Sequence, residues 1–301
     1  MTGNNVWISL AVSSLLLAGC GSDRGAVPSE GENVASSDSI NKPFAMVTAD
    51  APTADKRPVE IEQHGITRVD NYAWLRDDDW QEVLRDPTAL DDDIRQHLAA
   101  ENTFYDAATG DLDALREQLF EEMRGRTKED DSTVPSKHGP YAYATRYREG
   151  GEYPVFVRTP RDGGEETILY DGDEEGQGEA FFRIASVRHS PDHALIAYGV
   201  DRLGSEYYDI RVRNVDTGEE YPETIESTSG GATWAADSKS FYYVERDDNN
   251  RPKRVKYHVL GADPTDDLLV YEEPDDSFFL SVGKSQSDEY IFIGVGTVSY
   301  T

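Results

Sequence analysis

A short turn followed by an apolar strand pattern returns three times in the second half of this chain, and that return constrains the fold more than any other feature. Ser190-Pro191-Asp192 precedes ALIAYGV, Ala236-Asp237-Ser238 precedes FYYVE, and Ser287-Asp288 precedes YIFIGV. The aspartates at 192, 237 and 288 stand 45 and 51 residues apart. Each period has room for a further strand and tight turn, as in Tyr208 to Val215 followed by Asp216-Thr217-Gly218. A unit of this kind repeating every ~40–50 residues has the period of β-propeller blades, each built of four antiparallel strands. The aspartates and serines hydrogen-bond backbone at the turn that starts a strand.

The strand texture begins after Ser132. Tyr141 to Arg148 alternates, Glu149-Gly150-Gly151-Glu152 turns, Val155 to Arg158 returns, and Asp162-Gly163-Gly164 turns again before Thr167 to Tyr170. From 141 to 301 there is space for three blades and a little more, whereas a propeller closes with at least about four. The chain stops at GTVSYT, in or just after a strand. The expectation is a mainly β chain carrying a truncated propeller over 131–301.

A helical segment, 58–130, is expected to lead into the blades. Asp91-Asp92-Asp93 offers N-caps and complements a helix dipole, and Ile94, Leu98 and Tyr105 then share one face. A second helix starts near Asp111, with Leu112, Leu115, Leu119 and Met123 in helical spacing and Gly125 at its end. The two stripes cannot satisfy each other alone, so they are expected to dock elsewhere.

Residues 1–57 read as an address and a tether. Val6 to Leu17 is an uncharged, largely apolar run of twelve, short for a membrane span but suited to a signal-peptide core. Leu17-Ala18-Gly19-Cys20 then resembles a bacterial lipobox, with the thiol of Cys20, the only cysteine, as the group that takes diacylglycerol. No Lys or Arg precedes the apolar run, which departs from the usual signal pattern. Residues 21–57, rich in Ser, Gly, Asp, Asn, Ala and Pro, form a flexible tether reaching on the order of 30 Å. Export is expected, to a membrane-anchored position facing the periplasm or cell surface. Gly21 rather than Asp after the cysteine favours the outer membrane where there are two.

All charge lies beyond Cys20: 59 acidic against 29 basic residues, a net −30. Such a surface repels phosphate backbones and excludes nucleic acid as a partner, while attracting basic peptides. It also suits high salt, where screening relieves carboxylate repulsion.

No Gly-x-Ser-x-Gly nucleophile elbow occurs, and the six histidines include no His-Glu-x-x-His pair and no cysteine partner for zinc. His189 and His193 are four apart, but Pro191 forbids the helix that would place them on one face, so they read as turn residues. Asp171 to Gly176 (DGDEEG) begins like a calcium loop, yet its twelfth position is Phe182 instead of glutamate. No catalytic, cofactor-binding or metal-ligating residue is assigned from these patterns; the one site residue is Cys20.

Spaced motifs carry a family resemblance. Arg68 to Asp77 (RVDNYAWLRD), Glu82-Val83-Leu84, Ala100-Glu101-Asn102 and Tyr105 come first. Glu152-Tyr153-Pro154, Ser190-Pro191-Asp192, Arg211 to Asn214 and Asp216-Thr217-Gly218 follow. Trp234, Phe241-Tyr242-Tyr243, and Val270 to Glu273 before Asp276 complete the set. In this order they resemble the prolyl oligopeptidase family of serine peptidases from about Pro58 onward, and most of all its oligopeptidase B branch. The resemblance implies that the helical segment wraps onto an α/β-hydrolase domain, which this chain lacks, and that a seven-bladed propeller filters substrates by size. It implies that the Ser-Asp-His triad belongs to that domain, so that no residue here carries it. It also implies cleavage of short peptides after Arg or Lys, without a cofactor. The contrasting reading is a lipid-anchored propeller that only binds; the Trp74-Leu75-Arg76-Asp77 segment argues against it, since an autonomous propeller has no use for it.

Replacing Cys20 by alanine is expected to abolish incorporation of labelled palmitate and to release the protein from the membrane fraction or leave it unprocessed. Unlabelled wild-type protein would refute the lipid anchor.

Overall fold

Strands whose two faces are both apolar need a packed sheet on each side, and the blades of this chain are stacked to meet that need. The computed structural model describes residues 50–297. The first complete blade contains β3 (Ser136–His138), β4 (Tyr141–Arg146), β5 (Val155–Pro160) and β6 (Thr167–Asp171), paired antiparallel in that order. After the single helical turn α4 (Gly172–Glu175) come β7 (Arg183–His189), β8 (Leu195–Asp201), β9 (Tyr208–Asn214), β10 (Ile225–Trp234), β11 (Ser240–Arg246), β12 (Pro252–Val259) and β13 (Leu268–Glu272). These seven form one continuous antiparallel sheet. It is two blades sharing a strand: the start of β10 pairs with β9 (Ile225 with Ile210, Thr228 with Tyr208), and its end pairs with β11 (Trp234 with Phe241). A last hairpin, β14 (Phe278–Lys284) and β15 (Ile291–Thr297), opens the fourth unit.

Strand β8 shows why the blades stack. All seven of its residues are buried. Because strand side chains alternate, Ile196, Tyr198 and Val200 face the first blade, in a cluster with Leu169, Tyr170 and Phe182. Leu195 and Ala197 face the third blade with Ile210, Trp234, Phe241 and Tyr243. Strand β11 repeats the arrangement: Phe241 and Tyr243 look back, while Val244 packs forward with Val255 and Leu280 of β14. Each large apolar side chain so buried contributes about 1.5–3 kcal/mol.

The crossing of β10 from the outer edge of one blade to the inner edge of the next requires a close backbone approach. Thr228 Oγ1 donates to the Tyr208 carbonyl (2.7 Å), Ser186 Oγ to the Gly230 carbonyl (2.7 Å), and Trp234 Nε1 to the Arg188 carbonyl (2.9 Å). Gly230 has φ +78°, and a Cβ there would sit 2.3 Å from that of Ala185. A Cβ on Gly199 would meet the Gly230 carbonyl oxygen at 2.1 Å. Only two glycines let the chain lie this flat on the sheet.

The three recurring turns have one geometry. His193, Ser238 and Asp288 each adopt a left-handed φ (65°, 57°, 61°) and donate their N–H to the carbonyls of Ser190, Ala235 and Ser285. Asp288 therefore matches His193 and Ser238, and Ser287 matches Asp192 and Asp237. The structural repeat is one residue out of step with the aspartate spacing.

Ahead of the blades, the segment read as helical opens with a hairpin, β1 (Val59–Gln63) and β2 (Ile66–Asp70). His64 and Gly65 both take left-handed φ (55°, 73°), the turn that matches the twist of two antiparallel strands. Helices α1 (Trp80–Arg85), α2 (Asp92–Thr109) and α3 (Asp113–Arg124) follow. Asp91 caps α2 by accepting from the N–H groups of Asp93 and Ile94, and Gly125 ends α3. Trp74 lies under the Arg57 guanidinium (4.2 Å), and Asp77 accepts from the N–H groups of Asp79 and Asp91, so this motif ties α1 to the start of α2. Helix α1 reaches the blades through Arg85, which pairs with Asp248 (2.8 Å) and lies over Tyr207. Of the α2 stripe only Ile94 is buried; Leu98, Tyr105, Leu115, Leu119 and Met123 are exposed.

Gly199→Ala and Gly230→Ala are expected to destabilise the protein by about 1–3 kcal/mol or more through overpacking, whereas Gly231→Ala, whose Cβ meets nothing within 4 Å, should be mild. Thermal and urea melts of the three variants check this ordering.

Candidate functional site

The turns that join the first two strands of each blade converge on one face. Asp192 N–H donates to Ser238 Oγ (3.0 Å), and His138 Nε2 meets Asp288 Oδ2 (3.3 Å). His138 ends β3, His189 ends β7, and His193 is the left-handed residue of the β7–β8 turn. The hairpin does what a helix could not: it folds residues 189 and 193 back together, with ring centroids 5.0 Å apart. His138, from the neighbouring blade, lies 4.8 Å from the His189 ring and 5.3 Å from that of His193. The reading of 189 and 193 as turn residues holds for His193, whereas His189 is the last residue of β7, and that reading misses this meeting. Nothing in the spacing of residues 138 and 189 signals it.

Tyr143 stacks on His189 (3.9 Å, 15°), and its phenol lies 2.6 Å from His193 Nδ1. Burial pushes the Tyr143 hydroxyl up to about 12, against the pull of the Arg158 guanidinium. Burial, despite a hydrogen bond to the Ser190 carbonyl, pushes His189 down to about 4, and burial also lowers His193; the neighbouring His138 and Arg158 charges add to both. His189 and His193 are therefore neutral imidazoles at neutral pH, the state in which histidine binds a metal ion. Beside it a groove of about 470 Å³, bordered by Thr133, Ser136, Phe156 and Val187, runs between the first two blades.

A second polar cluster has a different character. His258 sits between Asp267 (Nδ1, 2.7 Å) and Glu223 (Nε2, 3.4 Å), and Tyr243 donates to the other Asp267 oxygen (2.8 Å). His258 is wholly buried, and no serine or threonine hydroxyl bonds to it. It joins β11 to β12 and the chain leading into β13 and offers no nucleophile. Among the described residues no histidine is hydrogen-bonded to a serine hydroxyl, so no acyl-transfer pair is present among them.

Residues 52–299 match the prolyl oligopeptidase N-terminal β-propeller domain. The chain belongs to the prolyl oligopeptidase family. Dipeptidyl aminopeptidase BI of Pseudoxanthomonas mexicana is 34% identical over 272 residues, 84% of this chain and 36% of that protein. Protease 2 of Moraxella lacunata is 31% identical over 80% of this chain and 35% of its own length. The structure of oligopeptidase B from Leishmania major superposes with a TM-score of 0.75 at 27% identity, covering 83% of this chain and 36% of that one. The chain thus spans about a third of these relatives.

In this prolyl oligopeptidase propeller Cys20 lies outside the described residues. The calcium-like run from Asp171 to Gly176 is spent otherwise. Asp171 takes both guanidinium nitrogens of Arg148 (2.8 and 2.5 Å) and caps the Glu174 N–H; Asp173 accepts from the N–H groups of Glu152 and Tyr153; Glu175 pairs with Arg213 (2.8 Å). Carboxylates committed to guanidinium groups and backbone do not converge on one cation.

Burial opposes ionisation of Asp171, but the Arg148 hydrogen bonds and charge, with backbone N–H donors, hold its carboxyl below the usual range. A depressed folded pKa adds stability that is present above the unfolded value, about 3.9, and is lost as pH falls through the folded value. Asp171→Asn is expected to lower the melting temperature at neutral pH and to flatten its acid limb. An unchanged acid limb would show that the pair does not contribute.

Proposed function

We propose that this chain is the propeller portion of an exported serine oligopeptidase that cleaves short peptides after Arg or Lys, with the propeller admitting substrates by size. The observation that carries the reading is the continuous match to the family's propeller over residues 52–299, with the helical lead-in fastened to the blades through Arg85 and Asp248. Acyl transfer by a Ser-His-Asp triad is the chemistry of such a peptidase. No acyl-transfer pair stands among the described residues, so the triad is assigned to the C-terminal catalytic domain of the family. The exposed stripes of α2 and α3 are suited to packing against that domain. A net charge of −30 supports cationic substrates, because it raises their local concentration at low ionic strength. The tether and Cys20 would hold the enzyme at a membrane surface.

The test compares the 301-residue chain with the same chain joined to the catalytic domain, on Arg, Lys and neutral amide substrates. The joined protein should prefer Arg or Lys by at least about 100-fold in kcat/KM, about 2.7 kcal/mol of transition-state discrimination, lose part of that preference in high salt, and spare folded proteins. The chain alone should give no turnover sensitive to a serine-directed phosphonate; such turnover would place the nucleophile within it. Release of dipeptides from free N-termini, the activity named for the relative from Pseudoxanthomonas mexicana, would replace the endopeptidase reading. Equal rates on neutral substrates would remove the basic specificity.

A further inference from the structure

We propose that His138, His189 and His193 form a binding site for one divalent late-transition-metal ion of the zinc class. The three rings offer nitrogens that lie within 4.8 Å of one another, and each ring has one nitrogen held from outside the cluster. His138 Nε2 faces the Asp288 carboxylate (3.3 Å), His189 Nδ1 donates to the Ser190 carbonyl (3.0 Å), and His193 Nδ1 faces the Tyr143 phenol (2.6 Å). Carboxylate, carbonyl and hydroxyl partners on the far nitrogen are how ligating histidines are oriented and their tautomers fixed. The nitrogens left over are His138 Nδ1, His189 Nε2 and His193 Nε2. His138 Nδ1 is buried without any hydrogen-bond partner, which costs free energy unless something binds there. Gly139 completes the cradle: a Cβ at that residue would sit 2.3 Å from His193 Nε2, so the absence of a side chain admits the ring.

Ring centroids 4.8, 5.0 and 5.3 Å apart agree with the ~5 Å expected for three imidazoles around one tetrahedral ion at ~2.0–2.1 Å per nitrogen. The ligand nitrogens themselves would stand ~3.3 Å apart around such an ion, so binding draws them inward by side-chain rotation. Three imidazole ligands select zinc, nickel, copper or cobalt over magnesium and calcium. Of the cations nearby, the Arg158 guanidinium is occupied by the His193 carbonyl and Asp216 (3.2 Å), and the Lys284 ammonium lies 3.8 Å from Asp288. Asp192 and Asp288 supply negative charge at the border of the cluster. The ligands come from the first two blades and the outer carboxylate from the fourth, so a bound ion ties together units distant in sequence.

The test is a titration of the full-length protein with Co²⁺, followed by its visible absorption, and then displacement by Zn²⁺. One equivalent per chain is expected, with tetrahedral bands and micromolar or tighter affinity, and a higher melting temperature with zinc. His138→Gln and His189→Ala should each weaken binding at least tenfold, while His97→Ala should not. Should the variants unfold, protection of the wild-type histidines by zinc against diethyl pyrocarbonate, read by peptide mass, gives the same answer. Absence of tetrahedral bands, equal affinity in folded variants, or no protection of these three histidines would overturn the site. None of these readouts depends on peptidase activity, so the metal site and the proposed function succeed or fail separately.

Discussion

Apolar contact between neighbouring blades is the interaction on which the rest of this structure depends. A sheet with one wet face can alternate polar and apolar residues, but β8 carries Leu195, Ile196, Ala197, Tyr198 and Val200 in near succession and buries every one. Such a strand is stable only between two other sheets, and β11 makes the same demand one blade later. The stacking of blades is thus the consequence of strands that have no solvent side. Polar ties then fix the distance: Trp234 to the Arg188 carbonyl, and Ser186 to the Gly230 carbonyl. The Gly199–Gly230 approach lets the shared strand pass between blades without prising them apart.

Because the stacking sets where each blade's first turn lies, it also makes the candidate site. The left-handed residue of the turn has the same backbone geometry in three of the units, where it is histidine, serine or aspartate. One face of the arc therefore gathers polar groups that the rest of the fold keeps apart. His138, His189 and His193 meet there beside a groove between blades, whereas His258 is enclosed, with its two ring nitrogens taken by Asp267 and Glu223. The histidine cluster leaves a buried imidazole nitrogen, His138 Nδ1, without a partner, whereas both nitrogens of His258 are bonded.

The acidity of the chain is organised as well as abundant. Around the first two blades, arginines 148, 202 and 213 each engage carboxylates, so part of the charge is spent on internal ties. The excess faces solvent, and its long-range field acts on whatever approaches. A field of this sign raises the local concentration of any cationic species at low ionic strength.

The sequence by itself determined the blade period and the family. These depend on local pattern: apolar runs at β8 and β11, turn residues every 45 to 51 positions, and the Trp74-Leu75-Arg76-Asp77 motif. It also placed α2 and α3, because Asp91 and Gly125 are caps whose effect is local. The opening hairpin turns on His64-Gly65 between alternating residues, a short pattern beside the longer helical periodicity that follows it. Only the tertiary structure decided that β10 serves two blades, that Asp288 rather than Ser287 matches His193, and that His138 joins His189 and His193. Those facts depend on distances across strands and between sheets. Such distances are set by how side chains of different blades pack, and no spacing along the chain encodes them.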